Sequence, residues 1–152
     1  RQLNVVRAHP TGGAAQFRSK FVTDNTKGVY EYLRLFYPTP ALVPAMTWLS
    51  DTQPTTPQGL QVAVDKATTT LVWESSDSTY LYNIYSSTTY PVDTTDPANL
   101  QHTYLQQPHF EEATHSIVYP RHYAITAIDH YGNESEPLQW KNPQVPVVMK
   151  AR

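Results

Sequence analysis

The sequence predicts a mainly β chain: an antiparallel, immunoglobulin-like β-sandwich preceded by a short strand-helix segment. Three observations point there. The composition, with 13 Pro, 11 Tyr and 3 Trp, favours turns and strands over helices. From Pro57 onward the apolar residues recur with a period of two, the spacing of half-buried strands. Between those runs lie turn-rich stretches such as ESSDST and SSTTYPVDTTDPAN, with no helix of any length between them, which argues for a sandwich over an alternating α/β fold.

The remaining whole-chain properties narrow the classes of function. At 152 residues the chain has room for one domain of ordinary size with an appendage. Cysteine is absent, which excludes a disulfide framework, a thiolate metal site and a cysteine nucleophile. A net charge of −2 with 16% charged residues gives no basic surface for nucleic acid or anionic lipid. No run reaches the roughly 18 apolar residues of a membrane span. The chain starts at Arg1 rather than Met, as a trimmed or processed chain does, so a missing targeting signal carries no information about location.

A boundary is expected in the run DTQPTTP, giving residues 1–52 and 53–149 as the two parts. Residues 1–52 hold six Lys/Arg against three Asp/Glu, and residues 53–152 five against ten. In the first part, GGAAQFRSKFV reads as a small-residue turn and then a short strand with Phe17 and Phe21 as its bulky members. TKGVYEYLRLFYPTP then sets Val29, Leu33 and Phe36/Tyr37 on one stripe of a helix over about 26–37. Asp24, Asn25 or Thr26 can cap its start, and Pro38 and Pro40 stop it. Three turns of helix do not hold alone, so this face is expected to dock on the second part or to drive self-association through Val29, Leu33, Phe36 and Trp48. The stretch ALVPAMTWLS is an apolar connector interrupted by Pro, with Trp48 expected to dock on a neighbouring surface.

In the second part, GLQVAV alternates Leu60, Val62 and Val64 against polar positions, and TTTLVWE puts Leu71 and Trp73 on one face. YLYNIYS sends Tyr82 and Ile84 one way and Leu81, Asn83 and Tyr85 the other. YAITAID divides Tyr123, Ile125 and Ala127 from Ala124, Thr126 and Ile128. Asp96 followed by Pro97 reads as a capped single helical turn. Burying the Trp73 indole removes roughly 150–250 Å² from water, on the order of 4–6 kcal/mol as an upper bound, so it is expected at the centre of the core.

The order of these pieces resembles the fibronectin type III domain. Pro57-x-x-Leu60-x-Val62 looks like its first strand, Leu71-x-Trp73 its second, Tyr82-x-Ile84-Tyr85 its third, and Tyr123-x-Ile125-x-Ala127-x-Asp129 with Gly132-Asn133-Glu134-Ser135 its sixth strand and the turn into the last. The first part allows a narrower likeness. GGAAQFRSKF, then the helix after Gly28 ending in LRLFYPTPALVPAMTWL, is similar to the end of the catalytic barrel in the glycosyl-hydrolase-like lipoproteins of gut Bacteroidetes. The resemblance implies that residues 11–24 are the last barrel strand and its loop and residues 26–37 the last barrel helix. It also implies a parent barrel as partner and an extracytoplasmic location, at the cell surface or in the periplasm of a bacterium. It carries over no catalytic residue, because that family's chemistry lies in strands this chain does not contain.

Three groups of residues invite a chemical reading. YAITAIDHYGNESEP gathers Asp129, His130, Tyr131, Glu134 and Glu136; the structural reading is a core strand ending at Asp129, a turn with positive φ at Gly132-Asn133, and charges in solvent. Asn133-Glu134-Ser135 also matches the N-glycosylation pattern, an accidental match if the source is bacterial. The six histidines, His9, His102, His109, His115, His122 and His130, lack helical His-x-x-x-His spacing; His115 and His122 could converge across a sheet. Tyr80, Tyr85, Tyr90, Tyr104, Tyr119 and Tyr131 lie in or near loops, and of these Tyr85, Tyr90 and Tyr131 are the candidate carbohydrate contacts, since sugar rings stack on exposed aromatic faces. The sequence has no paired-carboxylate motif, nucleophile elbow or phosphate loop, so no catalytic, cofactor-binding or metal residue is assigned. The expected function is a non-catalytic accessory module, with a polysaccharide-binding module as the alternative.

Overall fold

The computed structural model describes Ala8 and residues 19–75, 77–113 and 121–143. The chain divides into two compact units, Arg1–Pro38 and Thr39–Arg152. The break therefore falls ahead of the boundary expected near Asp51, and the Pro-interrupted connector belongs to the second unit. No helix among the described residues is long and apolar enough to cross a membrane.

In the first unit, α1 spans Lys20–Thr23 and α2 spans Val29–Phe36, joined through a single 3₁₀ turn, Thr26–Gly28. Phe21, expected in a strand, is in α1; Phe17 lies outside the described residues. The strand expectation rested on two bulky residues, and Lys20 to Asp24, an i, i+4 ion pair at 2.7 Å, supports a helical turn there instead. The residue at the start of α2 is Gly28, in the left-handed region at φ 74. Asn25 caps from further back, its Oδ1 accepting from the Tyr30 amide at 2.9 Å. The stripe of Val29, Leu33 and Phe36 is the half-buried side of α2, whereas Leu35 is 82% exposed.

The second unit is a sandwich whose described residues form seven strands: β1 (Gln58–Val64), β2 (Thr68–Glu74), β3 (Leu81–Ser87), β4 (Leu100–Leu105), β5 (His109–Ala113), β6 (His122–Ile128) and β7 (Leu138–Trp140). They form a three-stranded sheet, β1-β2-β5, and a four-stranded sheet, β4-β3-β6-β7, with every pairing antiparallel. This is the fibronectin type III-like, immunoglobulin-like sandwich that the strand pattern predicts. Between the sheets Leu71 and Trp73 of β2 meet Tyr82 and Ile84 of β3 and Tyr123, Ile125 and Ala127 of β6. Trp73 packs edge-on against Tyr82 with ring centres 5.2 Å apart, at the centre of the core as its strand position predicts. The helical turn at Pro97–Asn99 forms as read, with Asp96 Oδ1 accepting from the Ala98 amide.

The four-stranded sheet is buried on its outer face as well. There Tyr85 of β3 and Ala124 of β6 pack with Val92, Leu100 and the connector residue Leu42. Continuous burial along β6 follows from this second layer, since an outer face open to water would alternate.

Candidate functional site

The stretch from Tyr123 to Pro137 is the chemically densest part of the chain; Glu136 is exposed as expected, and the structure engages Asp129, Asn133 and Glu134. Asp129 ends β6 and folds back on the turn: its Oδ1 accepts from the amides of Tyr131 at 2.9 Å and Asn133 at 2.8 Å, and its Oδ2 from Asn133 Nδ2 at 2.9 Å. Burial pushes the Asp129 carboxyl up, but the Asn133 and Tyr131 hydrogen bonds outweigh it and hold the group below the usual carboxylate range. Gly132 supplies the positive φ of the turn, at 84. Asn133 does not share that conformation; it is buried and donates from Nδ2 to the Ser50 carbonyl at 3.0 Å. The glycosylation-pattern asparagine is thus a structural anchor with its amide already engaged.

Glu134 departs most from its expected place in solvent. It is half-buried, and one oxygen, Oε1, accepts from Tyr85 Oη at 2.6 Å, from Asn83 Nδ2 at 3.0 Å, and from Thr126 Oγ1. Asn83, Tyr85 and Thr126 are all buried on β3 and β6, and β3 pairs with β6 so that Asn83 faces Thr126. The sheet therefore presents three donors in one place, and the turn after β6 returns a carboxylate to them. Burial, and then the Glu134 carboxylate, raise the Tyr85 phenol well above its usual value. A phenol so held donates to the carboxylate and does not ionise at neutral pH, so Tyr85 serves this cluster as a structural donor. The sequence carried one sign of it: Asn83 sits between apolar neighbours in YLYNIYS, and a polar residue at a buried position needs a partner.

The candidate carbohydrate contacts come apart. Tyr85 is 1% exposed, so its ring cannot serve as a platform; it lies mid-strand under the second layer rather than in a loop. Tyr90 is 42% exposed. Its ring meets His122 edge-on at 5.4 Å and has Lys141 Nζ 5.5 Å from its centre. The loop that carries it is pinned by Gln139, which accepts from the Val92 amide and donates to the Val92 carbonyl. Tyr131 is half-buried, its ring tilted at 42° against that of His130 with centres 3.8 Å apart. Tyr90 adjoins the first residue of β6 and Tyr131 follows its last, so the length of that strand, roughly 20 Å at about 3.3 Å per residue, separates them. They do not form one platform. Tyr80 packs against the core, Tyr104 accepts from the Val43 amide through its hydroxyl, and Tyr119 lies outside the described residues.

Among the histidines, His122 is buried and its Nδ1 accepts from the Asn142 amide at 2.9 Å. Burial, and then the charge of Lys141, lower its pKa from the ordinary 6.5, so the imidazole is neutral. His102 lies against Phe110 with ring centres 5.6 Å apart. His9 and His115 fall outside the described residues. Among the described residues no three His, Asp or Glu side chains converge as a metal site would require.

No family model matches the sequence, and no curated protein matches it. Among solved structures, the chain is similar to a Fn3-like protein from Clostridium thermocellum, at 18% identity over 62% of this chain and 99% of that one, with a TM-score of 0.46. It is also similar to part of the pectate lyase PelI from Erwinia chrysanthemi, solved in complex with tetragalacturonic acid, at 13% identity over 56% of this chain with a TM-score of 0.42. A third likeness is to pectate lyase Pel3 from Pectobacterium carotovorum, at 13% identity over 61% of this chain with a TM-score of 0.42. The match spans 28% of each lyase.

Proposed function

We propose that this chain is a non-catalytic accessory module of a larger carbohydrate-active protein at the surface or in the periplasm of a bacterium, serving as spacer, stabiliser or docking surface for a parent barrel. One observation carries the reading. The groups with which acid-base chemistry would begin are engaged in holding the fold: Glu134 by three donors of the sheet, Asp129 by its own turn, and His122 by the Asn142 amide. Catalysis needs a group poised to exchange a proton with a substrate inside a cleft, and these are satisfied internally. The carbohydrate link, the barrel partner and the location come from the sequence resemblance.

A second reading, a carbohydrate-binding module, is favoured by Tyr90 alone, which is exposed, fixed by Gln139 and flanked by Lys141. Calorimetric titration of the chain with a panel of plant and host glycans separates the two. The accessory reading expects flat isotherms at millimolar sugar and no turnover of any glycoside. Binding that Tyr90→Ala abolishes transfers the conclusion to the second reading, and turnover by the purified chain removes both.

A further inference from the structure

The connector ahead of β1 is fastened along its length. Leu42 packs into the outer cluster of Tyr85, Val92, Leu100 and Ala124. The Val43 amide donates to Tyr104 Oη at 3.0 Å, and the Met46 amide to the Tyr131 carbonyl at 2.8 Å. At Ala45 the approach is so close that a side chain at Gly132 would lie 3.3 Å from the Ala45 Cα. After a turn closed by the Leu49 amide on the Met46 carbonyl, the Ser50 carbonyl accepts from Asn133 Nδ2. The receiving groups come from β3, β4, β6 and the turn after β6, so the connector crosses the outer face of the four-stranded sheet.

Its sequence suits that path. Pro40 and Pro44 fix φ and lack a backbone donor, and the residues before them, Thr39 and Val43, are steered away from helix. Such a segment is extended before it docks, so little of its backbone freedom is lost on docking. Its two anchoring amides, Val43 and Met46, reach acceptors of the sandwich directly. Pro40, Ala41 and Leu42 form one side of a cavity of about 200 Å³ whose other wall includes Tyr85, Pro97 and Leu100.

We infer that the outer face of the four-stranded sheet is a groove for an extended, proline-interrupted segment, and that residues 39–50 of this chain fill it in cis as a strap. Residues 39–50 are then part of the sandwich and not a free linker ahead of β1. The sequence-pattern asparagine, Asn133, and the glycine before it are receptor residues of that groove. The inference does not depend on whether the module meets sugar.

Amide hydrogen exchange on the full chain tests it without any ligand. The Val43 and Met46 amides are expected to exchange at least about a hundredfold more slowly than free-peptide rates, and, once Trp48→Ser has removed contact between outward faces, equally so at low and high protein concentration. Tyr104→Phe removes only the acceptor of Val43, and the strap predicts that it speeds both amides, by about tenfold. Leu42→Asp reaches the same readout through the apolar anchor, should the first variant fold poorly. Exchange of Val43 and Met46 at free-peptide rates in the unsubstituted chain overturns the inference. So does a Tyr104→Phe variant in which Val43 alone speeds up, since the contacts are then independent. Protection that grows with concentration in the Trp48→Ser chain assigns the groove to the strap of a second copy and overturns occupation in cis.

Discussion

Glu134 draws three donors onto one carboxylate oxygen, and none of the three has water as a ready substitute, because Asn83, Tyr85 and Thr126 are buried. A buried donor left without its acceptor costs more than the bond it made. Glu134→Ala is therefore expected to destabilise the sandwich by about 2–4 kcal/mol, read as a lower midpoint in urea unfolding. A change within ~0.5 kcal/mol, the range of an ordinary surface position, would place Glu134 in solvent after all. His122 makes a second residue-scale prediction. Its folded pKa is depressed by burial and by Lys141, so as pH falls below about 6.5 the unfolded chain takes up a proton that the folded chain refuses. Its contribution to stability is thus complete above that pH and is lost as pH falls toward the folded pKa. Urea midpoints measured from pH 7.5 to 5.5 should fall in the native chain and fall less in His122→Gln; equal slopes would show that His122 is not the group responsible. Asp129, also held low, titrates at more acid pH and falls outside this window.

At the scale of elements, β1, β2, β3 and β6 are legible because their residue types alternate with a period of two, whereas β4, β5 and β7 carry no such pattern strong enough to place them. Leu71 and Trp73 alternate with exposed neighbours on β2, and β3 and β6 show the split faces that their alternation implies. Trp73 is the heaviest member of the shared core and is 3% exposed. Trp73→Ala is expected to cost about 3–5 kcal/mol, enough to leave a domain of this size largely unfolded at ambient temperature; a folded variant melting near the native temperature would show the core lies elsewhere. The helices were read less well. The apolar stripe Val29, Leu33 and Phe36 locates α2, but its start is set by left-handed backbone at Asn25, Lys27 and Gly28, which no apolar period encodes. Phe21 lies in a helix and not in the expected strand because two aromatics four residues apart suit either, and the exposed ion pair between Lys20 and Asp24 adds only a small helical preference.

For the molecule as a whole, the exposed apolar side of the strap is a surface open to association. Trp48 is 77% exposed, with Val43 and Leu49 also exposed, so Trp48 is open to solvent and not docked on the neighbouring surface that the sequence led us to expect. Val43 and Met46 are held by their backbone amides, which leaves side chains of the strap free to face outward. Apolar surface of this kind favours self-contact, so the mass measured by light scattering is expected to rise with concentration and to rise less in Trp48→Ser. A constant monomer mass across the range would remove that expectation.

By itself the sequence determined the sandwich, the order of four of its strands, β1, β2, β3 and β6, and the inward face of Leu71, Trp73, Tyr82, Ile84, Tyr123, Ile125 and Ala127, since these follow from local period and from turn chemistry at residues such as Asp96, Pro97 and Gly132. Tertiary structure alone decided that Tyr85 is buried, that Glu134 turns inward and that residues 39–50 belong to the sandwich. The physical reason is common to all three. Whether an outer sheet face meets water depends on what a distant segment lays across it, and partners 49 residues apart, as Tyr85 and Glu134 are, leave no periodic trace in the chain between them.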